Sequence, residues 1–514
     1  MKKIILLTSF AVLVFTSCLT EKSYTKYPQD QYFNDAEEAM LFMLGAHSKV
    51  RSLVTSYEYM FLNMFTTDDV DYAANSPAYK EFAGLTYSED NSLVKYVWAG
   101  YYAVIEQCNI LIDKLENDVN IAETYTPQMC AEARFLRAWA YFNLVQLWGD
   151  VPLVTIPVYS LTNDNVQPSR TAKERIYSQI IADLDFAQKN IPDNIGKFTS
   201  VHGNSYPFIV NKGAVTLLMA KTYQLMQMWD EVEETLVVFY DGESFNDIYG
   251  LATEFNHVYD VRYKDAAGRE REVLYEIWSR SEEGLNNNCQ RYIAPTVLLG
   301  LSGEPITGTS TGSQVCLPTY SLMKNYDGAK DKRYLQGFQF VNGGRPHFMK
   351  GYDVLATQYT LGASNVCLLR TADAYLTLAE AYCHKGADAK AIGLVNVVRN
   401  RAGLDNLDAS LSGEDLLDAI MLERRLEFAG EGAYRLYDLR RTGTYVTSIL
   451  EFNDQNKVNS NVQFVCPSTG KLYPATTAPF YRLHRAVEDK HVLFPIPFQE
   501  RIANTNLSQN SGWN

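Results

Sequence analysis

Two segments of the chain share one spacing of apolar and small residues, and this repetition restricts the fold more than any other feature of the sequence. In each segment a small residue precedes an aromatic residue by three positions, as Ala220 precedes Tyr223 and Ala379 precedes Tyr382. Small-against-large packing joins the paired helices of tetratricopeptide repeats. The pattern therefore predicts stacked α-helical pairs. The matched positions are Thr216, Met219, Ala220, Tyr223, Val232, Leu236 and Phe239, and then Tyr375, Leu378, Ala379, Tyr382, Ala391, Val395 and Val398.

A third copy of the pattern is indicated upstream. The stretch 131–147 places apolar side chains at spacings of three and four, which is the period of one helix face. Within it Ala138 and Tyr141 repeat the small–aromatic pair. The partner helix is expected near 172–189, delayed by the turn-rich residues 149–152. The sequence therefore predicts an all-α dominated fold of tetratricopeptide-repeat-like helix pairs.

Long polar stretches interrupt these helices. We expect the scaffold to be built from about 36–260, beginning with an amphipathic helix over 36–51, and from about 366–445. Loops as long as the stretches between them are usually functional or disordered in compact proteins. The loop-rich insertions are expected at about 66–92, 279–365 and 451–490.

The first residues have the features of an export signal. A positive pair, Lys2 and Lys3, precedes an apolar run over 4–15 that is too short to cross a bilayer comfortably. Small residues then lead to Cys18, as in a lipobox. We expect residues 1–17 to be a signal peptide and Cys18 to carry the lipid. Each buried acyl carbon contributes about 0.8 kcal/mol to membrane binding. An ordinary signal peptide cut elsewhere is the alternative.

Composition excludes several classes of function. The formal net charge of -14 argues against a nucleic-acid partner, because such binding needs clustered Lys and Arg. No C-x-x-C pair occurs, so zinc ribbons and thioredoxin-like redox chemistry are unsupported. The cysteines after Cys18 are expected to be mostly buried small hydrophobes. They are Cys108, Cys130, Cys289, Cys316, Cys367, Cys383 and Cys466.

Motifs of enzymes receive little support. Residues 308–312 formally match G-x-S-x-G, but the Gly- and Pro-containing sequence before them does not predict the required strand, so we interpret them as a flexible loop. H-E-x-x-H and G-x-x-x-x-G-K-[ST] are absent, and the 7 His show no metal-binding spacing. Among 60 acidic residues some pair could always be imagined for a glycosidase, so acidity alone carries no weight. We predict no enzyme activity, no catalytic residue, no cofactor and no metal.

Several stretches resemble a known family in its own order along the chain. They include AEARFLRAWAYFNLVQLWGDVPLV at 131–154, RTADAYLTLAEAY at 370–382, IMLERRLEFAGEGAYRLYDLRR at 420–441 and PIPFQERIANTNLSQNSGW at 495–513, with shorter matches at 98–115, 331–333 and 395–404. Together they resemble the SusD/RagB family of outer-membrane nutrient-binding lipoproteins. Ser511 and Trp513 depart mildly, because the family usually has Pro and Tyr there.

The resemblance implies one SusD-like domain over 18–514, with ligand-side insertions packed on one side of the helix pairs. It also places Trp98 at the head of a helix, in the core. It further implies a lipid-anchored position on the outer membrane, facing the cell exterior, beside a SusC-like TonB-dependent transporter. The family captures oligosaccharide and delivers it to that partner. Two alternatives stay open: a RagB-like relative that binds peptide or glycoprotein, and a structural lid of the transporter without strong affinity for a ligand.

Sugar rings present apolar C–H faces and a rim of hydroxyls, so aromatic rings stack on them while amides and guanidinium groups bind the rim. The candidate binding residues are therefore loop aromatics with polar neighbours. The early insertion supplies one group and the long central loop supplies a second. The candidates are Tyr72, Tyr79 and Tyr87, and then Asn287, Asn288, Arg291, Tyr292 and Tyr320.

Two charged groups admit a structural and a functional interpretation. The arginines within 422–441 could bind an anion, but a salt-bridged helix pair with i,i+4 support is the favoured interpretation. Asp68, Asp69 and Asp71 could hold calcium through oxygen ligands, yet the spacing of a calcium-binding hand is missing. A solvated acidic turn is the prediction for these three aspartates.

Overall fold

The computed structural model describes residues 36–72, 76–117, 126–158, 167–191, 210–240, 248–263, 269–279, 287, 289–293, 315–341, 345–353, 355, 362–455, 463–467, 470–474 and 483–513. The predicted signal peptide, Cys18 and the loop at 308–312 lie outside these residues. Among the helices that the structure describes, none combines the length and the apolarity needed to cross a bilayer.

Helices dominate the fold, as the periodicity predicted. Helices predicted at 36–51, 131–147 and 172–189 lie within or overlap α1, α5 and α6, so these three predictions are confirmed. The helices are α1 (Ala36–Val54), α2 (Tyr57–Met64), α3 (Pro77–Ala83), α4 (Ser92–Asn117), α5 (Thr126–Trp148), α6 (Lys173–Asn190), α7 (Lys212–Leu225), α8 (Trp229–Leu236), α9 (Arg269–Glu272), α10 (Gln290–Ile293), α11 (Tyr320–Met323), α12 (Lys332–Gly337), α13 (Thr371–His384), α14 (Asp388–Arg401), α15 (Gly413–Phe428), α16 (Tyr434–Arg441), α17 (Tyr445–Gln455) and α18 (Phe498–Ala503).

Short antiparallel strand pairs lie between the helices. They are β1 (Val70–Tyr72) with β3 (Cys316–Pro318), β2 (Val273–Ile277) with β6 (Val366–Arg370), β4 (Phe338–Val341) with β5 (Arg345–Phe348), and β7 (Gln463–Val465) with β8 (Leu472–Pro474). In the first pair Val70 is opposite Pro318 and Tyr72 is opposite Cys316. This pair joins the early insertion to the central one, so these insertions contain regular elements and are not loops throughout.

The two repeated segments form helix pairs that stack on each other. Helices α7 and α8 make the first pair, and α13 and α14 make the second. Between the pairs, the rings of Trp229 and His384 stack with centroids 4.1 Å apart. The Lys221 ammonium lies 2.5 Å from a carboxylate oxygen of Asp373. The predicted tetratricopeptide-like pairing is therefore confirmed, and its two copies are neighbours in space.

Helices α4 and α5 pack through an aromatic box, defined by Trp98, Tyr101, Trp139 and Trp148. Trp98 and Trp148 meet edge to face with centroids 5.2 Å apart, and Tyr101 lies 5.5 Å from Trp139. Trp98 is 3% exposed, so its predicted place in the core is confirmed. Edge-to-face contacts add about 0.5–1.5 kcal/mol per pair beyond area burial.

The C-terminal segment returns to this N-terminal half. The indole N–H of Trp148 donates to the Pro495 carbonyl at 3.0 Å, and the Asn510 amide donates to the Trp148 carbonyl at 3.0 Å. Trp513 donates to the Lys490 carbonyl at 2.8 Å, and its ring lies 5.2 Å from that of Tyr87. Residues 490–513 therefore close the core over α5 and the early insertion.

Candidate functional site

Helix α2 positions the first part of the candidate site. Ser56 caps this helix, because its hydroxyl oxygen accepts from the Tyr59 amide at 3.2 Å. Tyr57 and Phe61 are four residues apart and therefore lie on one face of the helix. Tyr59 and Met60 are buried in the core. The cap fixes where the helix starts, and so fixes the direction in which Tyr57 points.

Four aromatic rings from three elements form what we call the aromatic platform: Tyr57, Phe61, Tyr79 and Tyr292. The Phe61 ring lies 5.0 Å from both Tyr79 and Tyr292, edge to face in each case. Tyr57 lies 5.9 Å from Tyr79 and 5.2 Å from Tyr292. Phe61 is fully buried, whereas the three tyrosines are half-buried. A buried ring thus holds three partly exposed tyrosines in fixed orientations.

The platform carries phenol hydroxyls as hydrogen-bonding groups. A hydrogen bond with Tyr79 raises the pKa of Tyr57, and burial and the neighbouring Glu58 raise it further. The Tyr57 phenol therefore stays protonated at ordinary pH. Preformed rings beside hydroxyl groups can stack on an apolar ring face and bind a polar rim at the same time.

Two of the candidates predicted from the sequence meet on the platform, although their positions are more than two hundred residues apart in the chain. Tyr79 belongs to the early insertion and Tyr292 to α10. Tyr72 lies 6.0 Å from Tyr79, but it is 1% exposed, so its predicted direct stacking on a ligand is wrong. The buried Tyr72 ring instead packs edge to face against the Tyr79 ring. Tyr87 is also buried, against Trp513, and that prediction is wrong for the same reason.

Two other candidates, Asn287 and Tyr320, are not among the rings of the platform. Asn287 is buried, with its amide donating to the Ser364 carbonyl and its oxygen accepting from the Cys289 amide, so it holds the loop, and it also lines an interior cavity. Tyr320 is half-buried beside Phe464 at 5.9 Å, at the far end of the β1–β3 pair. Asn288 lies outside the described residues, as does the side chain of Arg291.

Tyr57 and Phe61 were missed by the sequence analysis. Their segment reads as one more apolar run after the first helix, and an apolar run is most simply explained as core. The available indication was the Ser56 cap followed by aromatics four residues apart. That pattern predicts a separate short helix with one aromatic face, but not whether the face is covered.

The three early aspartates are not a solvated acidic turn. Asp68, Asp69 and Asp71 are each at most 2% exposed. They face three arginines from distant parts of the chain, in what we call the Asp68 cluster: Asp68, Asp69, Asp71, Arg425, Arg435 and Arg485. The prediction failed because local spacing cannot reveal cations more than three hundred residues away.

The arginines compensate the negative charge of this cluster. Asp68 accepts from Arg435 at 2.8 Å through both of its oxygens, and Arg425 lies 2.9 Å from Asp68 and 2.7 Å from Asp69. Burial alone would raise the pKa of Asp68, but Arg425 and Arg435 lower it well below its usual range. Within the described residues no group of His, Cys, Asp and Glu has the arrangement of a metal site.

The arginines of 422–441 form ion pairs, as favoured, but their partners differ from the prediction. Arg424 is 1% exposed and binds Asp373 and Asp438, each at 2.9 Å. Arg441 binds Glu380 on α13. The Arg424–Asp438 pair joins α15 to α16, so the predicted salt-bridged helix pair is confirmed. These pairs link separate helices in the interior rather than positions i and i+4 of one helix. Buried pairs of this kind are costly to break, because removing one partner leaves a buried charge.

The described cysteines are mostly interior residues. Six of the seven are buried and Cys367 is half-buried. Burial raises the pKa of Cys130 to about 12 and that of Cys289 to about 12, so both thiols stay protonated. The prediction of mostly buried, hydrophobe-like cysteines is confirmed for these residues.

The scaffold and the platform define a class: a helical-repeat protein whose insertions, together with one short capped helix, display a rigid aromatic surface. Comparison with known proteins agrees with this class. Two family models match the chain, one described as "SusD family" over residues 311–513 and one described as "Starch-binding associating with outer membrane" over residues 20–223.

Individual relatives cover most of the chain. "SusD-like protein P2" of Formosa agariphila is 26% identical over 78% of this chain and 82% of its own length. "Starch-binding protein SusD" of Bacteroides thetaiotaomicron is 21% identical over 84% of this chain and 81% of its own length. A solved "Laminarin binding SusD-like protein" superposes with a TM-score of 0.70, at 23% identity, over 94% of this chain and all of its own. The chain belongs to the SusD/RagB family.

Proposed function

We propose that this protein is a cell-surface glycan-binding lipoprotein that captures oligosaccharide and delivers it to a SusC-like TonB-dependent transporter. Cys18 carries the lipid that holds it on the outer membrane, facing the cell exterior. It binds its ligand without cleaving it. The platform residues Tyr57, Tyr79 and Tyr292 supply the binding surface.

One observation carries this proposal: three half-buried tyrosines from separate elements converge around a fully buried phenylalanine. Ordinary core packing would cover all four rings, whereas here only Phe61 is covered completely. Rings fixed before binding lose little conformational freedom when a sugar stacks on them. The family description as starch-binding and the name of the laminarin-binding relative support glycan as the ligand class.

Calorimetry on the soluble form, lacking residues 1–18, tests the proposal. The ligands are malto- and laminari-oligosaccharides, together with a peptide mixture as the alternative class. Because one aromatic stack contributes about 0.5–1.5 kcal/mol, we expect Tyr292→Ala and Tyr79→Ala each to weaken binding about two- to tenfold. Tyr473→Ala, at a half-buried tyrosine on β8, is the matched control and leaves the affinity unchanged.

Other outcomes separate the competing functions. Peptide binding without glycan binding would identify a RagB-like relative. Unchanged uptake by cells carrying Tyr292→Ala and Tyr320→Ala, with uptake abolished by deletion of the whole protein, would identify a structural lid. Release of reducing ends from polysaccharide by the purified protein would overturn its non-catalytic role.

A further inference from the structure

Tyr57 and Tyr292 meet on the aromatic platform, but they belong to elements that are far apart in the chain. Their ring centroids lie 5.2 Å apart. Tyr57 is in the first turn of α2, and Tyr292 is in α10, a helix of 4 residues. Such a short helix has too few internal hydrogen bonds to hold its own position. Contacts outside α10 must therefore fix where the Tyr292 ring lies.

Cys289, the residue before α10, joins these two elements. Its thiol, a weak hydrogen-bond donor, donates to the Ser56 carbonyl at 3.2 Å. Ser56 is the residue that caps α2. The Cys289 carbonyl in turn accepts from the Tyr292 amide at 3.0 Å and from the Ile293 amide at 3.3 Å. One residue therefore contacts both the start of the helix that carries Tyr57 and the turn that carries Tyr292.

Asn287 fixes Cys289 to the body of the central insertion. The Asn287 side-chain oxygen accepts from the Cys289 amide at 3.0 Å, and its side-chain amide donates to the Ser364 carbonyl at 3.0 Å. The Asn287 backbone amide donates to the Gly362 carbonyl at 2.9 Å. Because Asn287 is 2% exposed, these bonds are shielded from water, and removing its side chain would leave the Cys289 amide without this partner.

Packing alone does not set the spacing between α2 and the segment 289–293. A cavity of about 90 Å³ borders both of them, and its lining includes Met60 and Met64 of α2 together with Cys289 and Ile293. Side chains that line a cavity lack partner atoms on that side. The hydrogen bonds of Cys289 therefore contribute more to the position of Tyr292 than they would in a densely packed interior.

We propose that Cys289 is a positioning residue of the ligand-binding surface and that Asn287 acts through it. The Cys289 thiol sets the distance between the rings of Tyr57 and Tyr292, and Asn287 holds Cys289 in place. Neither buried side chain contacts the ligand. This inference rests on the proposed function, because rings held at a fixed spacing before binding lose less conformational freedom when a sugar stacks on them.

Calorimetry with malto- and laminari-oligosaccharides tests the inference. Cys289→Ala removes the thiol and should weaken binding about threefold or more, because the platform loses part of its preorganisation. Cys289→Ser keeps a donor for the Ser56 carbonyl and should restore most of the affinity. Cys130→Ala, at a cysteine of α5 that is 1% exposed, is the matched control for the loss of a buried thiol. It should lower the free energy of unfolding without changing the affinity.

A double-mutant cycle on the binding free energy separates positioning from a general loss of structure. If Cys289 acts through Tyr292, then Cys289→Ala should weaken binding little further once Tyr292→Ala has removed the ring. Asn287→Ala should weaken binding on its own but add little to the effect of Cys289→Ala. If Asn287→Ala does not fold, the Cys289 variants alone test the inference.

The outcomes separate this inference from the proposed function. Equal affinity of Cys289→Ala and the unmodified protein, with Tyr292→Ala still weakened, overturns the positioning role and leaves the glycan-binding function standing. Equal losses in Cys289→Ala and Cys289→Ser, an equal loss in Cys130→Ala, or full additivity with Tyr292→Ala would each overturn the positioning role as well. Absence of binding to any glycan by the unmodified protein overturns the proposed function, and this inference with it.

Discussion

The two halves of the scaffold are held together by different physical means. Around α4 and α5 the interior is mainly aromatic, with the box of Trp98, Tyr101, Trp139 and Trp148 at its centre. Around α13 to α16 the interior holds buried charge in balanced groups. In what we call the Glu427 cluster, the carboxylates Asp331, Glu272, Glu423, Glu427 and Glu431 meet the cations Arg333, Lys350, Arg370, Arg399 and Arg401.

Because of this difference, the two halves should respond differently to changes in side-chain shape and in charge. Aromatic packing involves no net charge, so a small change in the shape of one side chain should lower the free energy of unfolding only modestly. Buried ion pairs tolerate no imbalance, because each charge was removed from water and depends on its partner. The charged half also anchors the early insertion, since Arg425 and Arg435 hold Asp68 just before β1. A change that breaks the charge balance should therefore also disturb the early insertion on the ligand-binding side.

Acid should have the largest effect on this contrast. Burial would raise the pKa of Glu427, but Arg401, Arg370 and Arg333 lower it well below its usual range, and Asp438 behaves likewise beside Arg424 and Arg441. Because the pKa of each is lower in the folded state than near 4 in the unfolded chain, their stabilisation is present above about pH 4 and is lost as the pH falls below it. Each such carboxylate is worth on the order of 2 kcal/mol.

Asp71 should act in the opposite direction. Burial raises its pKa to about 6, so the folded protein takes up this proton before the unfolded chain does. Urea unfolding between pH 8 and pH 3 should therefore show a gain in stability as the pH falls from about 6 towards 4, followed by a steep loss below 4. A profile that stays flat down to pH 3 would contradict a role for the buried clusters.

Removing one carboxylate from the Glu427 cluster should have the next largest effect on the free energy of unfolding. Glu427 lies 2.6 Å from Arg370 and 3.5 Å from Arg333, and it also contacts Arg401. Glu427→Gln leaves these cations without sufficient counter-charge and should cost about 3–5 kcal/mol in the free energy of unfolding. Glu414→Gln, exposed on the same helix, is the control and should change it by less than about 0.5 kcal/mol. Similar losses of stability in both variants would contradict a central role of Glu427 in the Glu427 cluster.

A change in the aromatic half should be smaller. Trp148→Phe keeps an aromatic ring but removes the hydrogen bond to the Pro495 carbonyl and part of the packed volume. We expect a loss of about 2 kcal/mol that does not vary between pH 5 and pH 8, measured by urea unfolding. Leu41→Ala, at a position 62% exposed on α1, serves as the neutral control. If the loss of stability in Trp148→Phe depended strongly on pH, the proposed difference between the two halves would be contradicted.

The smallest effect should arise at the seam between the two repeat pairs. Trp229→Leu removes the stacked contact with His384 and should cost about 0.5–1.5 kcal/mol. A double-mutant cycle with His384→Gln isolates the ring contact from the other effects of each substitution. A coupling energy indistinguishable from zero would mean that polar contacts, such as Lys221 with Asp373 and Gln224 with Glu380, join the pairs without help from the ring contact.

Sequence reasoning recovered the regular part of this molecule because helices follow local rules. The period of 3.6 residues and the small–aromatic spacing of Ala379 with Tyr382 are visible in one window of the chain, and both predict burial correctly. Trp98 was assigned to the core from the family resemblance. Boundaries shifted by a few residues at most, as at α1, which extends to Val54 rather than ending at Arg51.

The site was recovered only in part, because its contacts are between distant residues. Tyr79 and Tyr292 were named individually, but nothing in the sequence shows that Phe61 brings them together. Tyr72 and Tyr87 also have polar neighbours in sequence, as Tyr79 has, yet they are buried beneath other elements. The prediction of a solvated turn for the aspartates before β1 failed for the same reason, since their partners Arg425 and Arg435 lie far along the chain.

The return of residues 490–513 to the N-terminal half has a consequence for the timing of assembly. Trp148 and Tyr87 belong to early parts of the chain, but their hydrogen-bonding and ring partners include Pro495 and Trp513. A nascent chain leaving the ribosome can form the first helix pairs, but it cannot close the wall around them until the final stretch has been synthesised. Truncated products should therefore expose apolar side chains and be prone to proteolysis.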